Sequence, residues 1–385
     1  MPSAFEVNPT LSFTLLGTFA IYLWQRPARS ALLAVFLLAI GLRAACVALM
    51  DAVGAYYGAR WISWGAFLGI ASLMVLAAQI ARSRKRLSDL ERKQALQTFY
   101  AGAVFPLCSL LIGDVLRVIT WLRPRTYDAL LLAFDGSLGF QPSFILARLL
   151  SEGTTFWGLT TVIYYALPLG VGILLASQLQ FRRLHRPYPV PVLALFLSLM
   201  VVGFVPYVIY PATGPAHAFP EFYPWNPHAL TQVAIQPMTV PDAPRNCMPS
   251  LHLAGALAIL WNSYLWPRWG RLLAALFVCA TIFSTLALGE HYLVDLVVAF
   301  PFTLILQAVW SISVPLDRSV RRKSLVVGTT LTVAWLVMLR YGLRLFMISP
   351  LISWTSILLT VAWCRMLQRK LSAAARVPAS ETMER

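Results

Sequence analysis

The stretch YPVPVLALFLSLMVVGFVPYVIY, residues 188–210, contains no charged side chain. As a helix rising 1.5 Å per residue, it is long enough to cross the roughly 30 Å hydrocarbon layer of a bilayer. Arg182, Arg183 and Arg186 precede it, and a segment rich in proline and histidine follows. Runs of the same kind recur along the chain, at roughly 8–25, 31–50, 61–81, 96–121, 154–178, 250–266, 271–289, 291–313, 325–345 and 348–366. A chain in lipid must satisfy its own backbone hydrogen bonds, and a helix does so within one segment. The short alternating segments of a membrane barrel are absent. The sequence therefore predicts an all-α polytopic membrane protein with about 11 transmembrane helices.

Composition agrees. Of 385 residues, 59% are hydrophobic and 12% charged, with a mean hydropathy of +0.70. Soluble domains carry about 25% charged residues. These values exclude a disordered chain, a secreted disulfide scaffold and an ordinary cytosolic enzyme. Cys46, Cys108, Cys247, Cys279 and Cys364 are odd in number and scattered, with neither zinc-site nor disulfide spacing. Glu6 and the lack of a basic residue before the first apolar run are unlike a secretory signal peptide.

The net charge of +16 follows from topology rather than from nucleic-acid binding, because no motif of aromatic and basic residues accompanies it. With the N-terminus outside, 22 of the 31 Lys and Arg residues fall in inside loops or the tail, and 5 fall outside. Basic residues collect on the cytoplasmic side, so the split predicts N-out, C-in. Two outside loops are long. Residues 122–153 predict a short interfacial helix broken near Asp135-Gly136 and Pro142. Residues 211–249, rich in proline, histidine and aromatics, predict a packed cap over a site.

His217, His228, His252 and His291 all fall on the outside face, whereas His185 lies in a basic inside loop. Arg245-Asn246-Cys247-Met248-Pro249-Ser250-Leu251-His252 opens a helix. With Pro249 at the first helical position, the amides of Ser250, Leu251 and His252 are free and favour an anion such as phosphate. Ser250 adds a hydroxyl, Arg245 a fixed charge and His252 a titratable proton. The bland alternative is a proline-started helix with a capping serine. Further on, Gly289-Glu290-His291-Tyr292-Leu293-Val294-Asp295 opens the next outside-to-inside helix. His291 and Asp295 are four apart, so they share a helix face. Asp295 can fix the tautomer of His291 and leave its other nitrogen as a nucleophile. The bland alternative is a structural His–Asp pair. Glu290 is assigned to the rim. Nucleophile, orienting acid, second histidine and anion cradle together form the parts for phosphoryl transfer through a covalent phosphohistidine. Arg340 and Arg344 near the outer end of the tenth run snorkel to the head groups or grip a lipid phosphate, and Asp114 pairs with Arg117.

The order PSLH, then HYLVD, resembles the type 2 phosphatidic acid phosphatase superfamily, whose usual signature is PSGH followed by SR-x5-H-x3-D. Leu251 stands in place of the Gly, and Ser284-Thr285 in place of Ser-Arg. This form is similar to the inositol phosphorylceramide synthase branch. The resemblance covers about residues 96–313, six of the eleven runs, and implies a six-helix catalytic core acting on lipid phosphoesters. The superfamily's first motif, K-x6-R-P, grips phosphate. The loop Tyr210–His217, which stands in its place, contains no Lys or Arg. Arg245 is the first substitute, with Arg117 and Arg123 as weaker ones. The expected phosphate-binding set is Ser250, Arg245, Leu251, His217, Arg123 and Arg117, and the expected catalytic set is His291, His252 and Asp295.

The expected organisation is accessory helices at 1–95, a catalytic core at 96–313, two further helices at 314–366 and a cytoplasmic tail at 367–385. The expected protein is a multi-pass enzyme, of a bacterial inner membrane, with its active site on the extracytoplasmic face. It uses no metal and no cofactor. Its partners are a membrane phospholipid substrate and a lipid or water acceptor, with no nucleic acid. Transfer to a lipid hydroxyl leads, with a lipid phosphate phosphatase as alternative. An anionic-lipid transporter or flippase is the rival from another class.

Overall fold

A computed structural model describes residues 9–52, 63–82, 89–150, 154–183, 189–226, 233–316 and 318–375. His185 and His228 lie outside the described residues. The helices are α1 (Pro9–Trp24), α2 (Arg29–Ala52), α3 (Ser63–Arg82), α4 (Asp89–Leu122), α5 (Asp128–Gly136), α6 (Pro142–Ala147), α7 (Thr155–Tyr165), α8 (Leu167–Arg183), α9 (Val192–Ile209), α10 (Pro215–Ala218), α11 (Leu251–Asn262), α12 (Arg268–Ala287), α13 (Leu293–Trp310), α14 (Ser319–Tyr341), α15 (Leu343–Phe346) and α16 (Pro350–Ala374). One two-residue strand pair, β1 (Arg125–Thr126) with β2 (Met238–Thr239), is antiparallel.

Among the described residues, eight helices are long and apolar enough to cross a membrane, or up to nine if Thr155–Tyr165 and Leu167–Phe181 form one broken span. The protein is an all-α, multi-pass membrane protein. The segments Pro9–Trp24 and Leu251–Leu265 are apolar but shorter. In the loop 122–153 the structure has two short helices, α5 and α6, where the sequence suggested one. Gly139 turns the chain at φ +94°, and Pro142, whose fixed φ suits a first turn, starts α6.

The chain forms two compact units, Met1–Gly113 with Tyr165–Tyr188, and Asp114–Tyr164 with Pro189–Arg385. In the first unit, α1 packs on α3 and α8 through glycines. A Cβ on Gly69 would overlap the main chain of Leu15, and one on Gly65 would stand 2.7 Å from the Ser12 carbonyl oxygen. Small residues four apart let helix backbones meet in lipid, where packing replaces the hydrophobic effect.

In the second unit, α13 is central: 72% of its apolar window is buried, against 44% or less in the other spans. It packs against α9, α11, α14 and α16. Its polar side chains find partners inside. The Asn262 and Gln307 amides bond reciprocally at 2.9 and 3.2 Å, and Thr303 donates to the Ala299 carbonyl at 2.6 Å. Such pairing is needed where no water reaches. Helix α9 buries Leu195 and Leu199 and exposes Val201 and Val205, as a lipid-facing helix does.

Candidate active site

α11 begins two residues later than its proline suggests. Ser250 is the N-cap, in extended backbone, and its Oγ accepts the Leu253 amide at 3.3 Å. A side-chain acceptor at the cap position satisfies an otherwise orphaned helix amide, so serine, not Pro249, sets the start. Two of the three amides expected to be free are engaged. The Ser250 amide donates to the Asp295 carbonyl at 3.2 Å, and the Leu251 amide meets the Tyr207 hydroxyl. Leu251 has room because it faces Gly203 in α9, where a Cβ would stand 2.5 and 2.7 Å from its two methyl carbons. His252 stacks on Tyr164, ring centroids 4.0 Å apart.

His291 lies between α12 and α13, not on a helix. It meets His252 edge to face, with centroids 6.3 Å apart and planes at 65°. The loop is tied by its backbone. Ser143 in α6 donates to the His291 carbonyl at 3.0 Å, and the Glu290 and His291 amides donate to the Thr285 carbonyl at 3.1 and 3.2 Å. Thr285, at the position of the signature's arginine, turns its hydroxyl back to the Thr281 carbonyl at 2.8 Å.

Asp295 is close to His291 but is engaged elsewhere. The His291 Nδ1 to Asp295 Oδ2 distance is 3.6 Å, and Nδ1 has no hydrogen-bond partner. Helix α13 starts at Leu293, so His291 precedes it and the pair does not share a helix face as expected. Asp295 instead caps the helix: Oδ2 accepts the Tyr292 amide at 2.8 Å and the Cys247 thiol at 2.6 Å. Its Oδ1 is buried without a partner. Donor atoms of Cys247, His291 and Asp295 all lie within 4.8 Å of one another, the geometry of a possible metal ligand set. Burial holds the His291 imidazole down to about 4, against the opposing pull of the Glu290 carboxylate and the Cys247 carbonyl, so the ring is neutral near pH 7.

Two buried aspartates that sequence reasoning passed over hold the site together. Asp128 accepts the Thr213 amide at 3.0 Å, the Gly214 amide at 3.0 Å and the Tyr292 hydroxyl at 3.1 Å. Gly214 has φ +94°, and a Cβ there would overlap the Glu290 main chain, so only glycine fits. Asp135 accepts the Leu293 and Val294 amides at 2.8 and 3.3 Å, a second cap on α13. Burial pushes its carboxyl up to about 8. A signal existed: an acid at each end of the apolar run Ala129–Phe134, costly to bury unless bonded.

The remaining expected residues divide. His217 pairs with Glu290, Nε2 to Oε1 3.5 Å. The hydrogen bond with Glu290 raises the histidine's pKa. Burial alone would raise that of Glu290, but His217, with His291 and His252, outweighs it and lowers it. Arg245 commits four of its five N–H donors to the main chain. It is fully buried and donates to the carbonyls of Arg123, Pro124, Val240 and Ala243 at 3.0, 3.1, 2.6 and 2.6 Å. This corrects its expected place on a phosphate: its side chain ties its own loop to the main chain just after α4. Arg117 is exposed beside Asp114 at 3.6 Å, and Arg123 is exposed at the end of α4. Arg340 lies over the Tyr127 ring at 4.9 Å. A largely apolar cavity of about 670 Å³ runs along α5 and α6, with Leu132, Phe140, Phe144, Ile145 and Met347 in its wall.

Residues 129–309 match the family model of the PAP2 superfamily. No curated protein and no solved structure matches the chain. The matched segment contains both histidine motifs, Asp135 and Asp295. Members of the superfamily are phosphatases or phosphotransferases, and the protein is an enzyme of that general type.

Proposed function

We propose, from the match of residues 129–309 to the PAP2 superfamily and from the paired histidines, that the protein transfers a phosphoryl or phospho-head-group from a membrane lipid phosphoester through a phosphohistidine on His291. The observation that carries the reading is the edge-to-face approach of His252 and His291, delivered by separate motifs. The Nδ1 of His291 faces Asp295, which leaves Nε2 for attack on phosphorus. A ring neutral near pH 7 has the lone pair that attack needs.

In the first step the Nε2–P bond forms and the P–O bond to the leaving group breaks, with His252, which must enter the step as its imidazolium, giving its proton to the leaving oxygen. In the second, the acceptor hydroxyl returns a proton to His252 and attacks phosphorus, releasing His291. The Ser250 hydroxyl and the His252 amide stabilise charge on the phosphate oxygens. His217, whose pKa the hydrogen bond with Glu290 raises, supplies positive charge at the rim when it is protonated. Arg245 has no phosphate role in this scheme.

The acceptor we favour is a lipid hydroxyl, as in the inositol phosphorylceramide synthase branch. Burial of His291 to 1% exposure restricts water. The apolar cavity along α5 and α6 has space for an acyl chain, and its wall residue Phe144 adjoins Ser143, which holds the His291 carbonyl. The charge split of the sequence supports an extracytoplasmic face for this chemistry.

The test is trapping. Purified protein given a lipid phosphoester with labelled phosphorus forms an acid-labile phosphoenzyme, absent in His291→Ala, which still inserts in the membrane. Label on another residue overturns the assignment. Release of free phosphate alone, unchanged by a long-chain lipid alcohol, makes the enzyme a phosphatase.

A further inference from the structure

Three chemically different donors converge behind the histidine pair. The Cys247 thiol lies 2.6 Å from Asp295 Oδ2, and His291 Nδ1 lies 3.6 Å from the same oxygen. All three side chains are buried, at 0%, 0% and 1% exposure. Their donor atoms lie within 4.8 Å of one another. Two polar atoms of the cluster, His291 Nδ1 and Asp295 Oδ1, have no hydrogen-bond partner despite full burial. Such atoms are costly unless something binds them.

The donor set selects the ligand. One thiol sulfur, one imidazole nitrogen and one carboxylate oxygen suit a borderline-soft divalent ion of the zinc class, which takes four ligands in a tetrahedron. Sulfur disfavours magnesium and calcium, which take oxygen. Three protein ligands leave the fourth position to water or another small ligand.

We propose that Cys247, His291 and Asp295 form a binding site for a zinc-class divalent ion, and that occupancy of this site switches off the nucleophile. The second half rests on the phosphohistidine reading. A neutral imidazole has a single in-plane lone pair. When Nδ1 gives that pair to a metal, Nε2 carries the proton and cannot attack phosphorus. A metal seated on Nδ1 therefore blocks formation of the phosphoenzyme. On binding, the Cys247 thiol releases its proton to solvent and ligates as thiolate.

The experiment uses the full-length protein in detergent, stripped of metal by a chelator and titrated with cobalt(II). Wild type is expected to show a thiolate-to-cobalt charge-transfer absorption that zinc abolishes by displacement. Cys247→Ser is expected to lose it, although Cys46, Cys108, Cys279 and Cys364 remain. Absence of the band in wild type, or its survival in Cys247→Ser, overturns the site. If Cys247→Ser fails to fold, zinc-edge X-ray absorption on wild type decides: a first shell with one sulfur supports the site, and a shell without sulfur overturns it.

Phosphoenzyme formation separates the two halves. Zinc at about 100 times its dissociation constant leaves about 1% of the sites free, so labelled phosphoenzyme should fall about 100-fold. Undiminished phosphoenzyme on His291 with zinc bound refutes the switch and leaves the function reading intact. Cobalt binding to Cys247 with no phosphoenzyme on His291 refutes the function reading and leaves the metal site intact.

Discussion

Replacing Arg245 by Ala should unfold the outer loops rather than weaken substrate binding. The guanidinium is buried and makes four hydrogen bonds, all to main-chain carbonyls: Arg123 and Pro124 at the end of α4, and Val240 and Ala243 in its own loop. Of these acceptors, the Ala243 carbonyl has a second donor, the Thr120 hydroxyl at 3.2 Å. The other three lose the arginine donor. Of these three only the Val240 bond is buried, and an acceptor left unpaired there costs about 1–3 kcal/mol; the half-buried bonds to Arg123 and Pro124 cost less, and the penalties are not additive because the loop relaxes. A loss of about 2–4 kcal/mol is expected. Lysine cannot reach four carbonyls in one plane, so Arg245→Lys should recover only part of it. The assay is thermal unfolding in detergent, with protease resistance of the 233–250 segment as a second probe. A variant as stable as wild type that loses only its affinity for lipid phosphate would refute this account and restore Arg245 to the phosphate.

His291, held down to about 4 against the ordinary 6.5, binds fewer protons folded than unfolded between these values. Its contribution to stability is therefore complete above 6.5 and lost as pH falls toward 4. Phosphoenzyme formation should keep its nucleophile over the same interval, and a limb near 6.5 assigned to His291 counts against the neutral ring. Gly203→Ala drives a Cβ into the Leu251 methyls and should cost about 1–3 kcal/mol. Leu251→Ala in the same chain should return most of that, and simple additivity of the two changes would mean that they do not touch. Asp295→Asn should lower turnover on the order of 10²–10⁴-fold by analogy with other histidine-orienting acids, while near-normal turnover would leave Asp295 a helix cap alone. In a chain stripped of native cysteines, a membrane-impermeant thiol reagent on intact cells should label a cysteine at Asn226 and spare one at Ser88. The reverse pattern would move the chemistry to the cytoplasm.

Hydropathy made most of the membrane helices readable because lipid imposes one rule on every residue of a span: Val192–Ile209 is uncharged throughout and mostly apolar, and a helix satisfies its backbone within the segment. The meeting of His252 with His291 was readable for a different reason, since both belong to short motifs at helix starts on one face. What escaped was direction. Arg245 stands beside the motif in sequence, yet nothing local says that its side chain turns away toward Val240 and Pro124. Asp295 at four residues from His291 implied a shared helix face, but the cap residue Tyr292 delays the helix. Asp128 and Asp135 act on segments about eighty to a hundred and sixty positions away. Such contacts leave no local pattern beyond the oddity of an acid flanking an apolar run.

Asp128 and Asp135 also set an order of events during synthesis. They emerge from the ribosome long before the segment they hold, because Tyr292, Leu293 and Val294 follow some 160 residues later. At about 5–20 residues per second, these acids wait many seconds for their donors. Asp128 can meet the Thr213 and Gly214 amides about half-way through that interval, but Asp135 stays without its donors to the end of it, so α5 cannot settle in the apolar place it finally occupies. The nucleophilic loop therefore cannot be assembled piecemeal as helices enter the bilayer. Its last joint closes only when α13 has been inserted, and a chain arrested before that helix retains an unfinished, water-exposed α5.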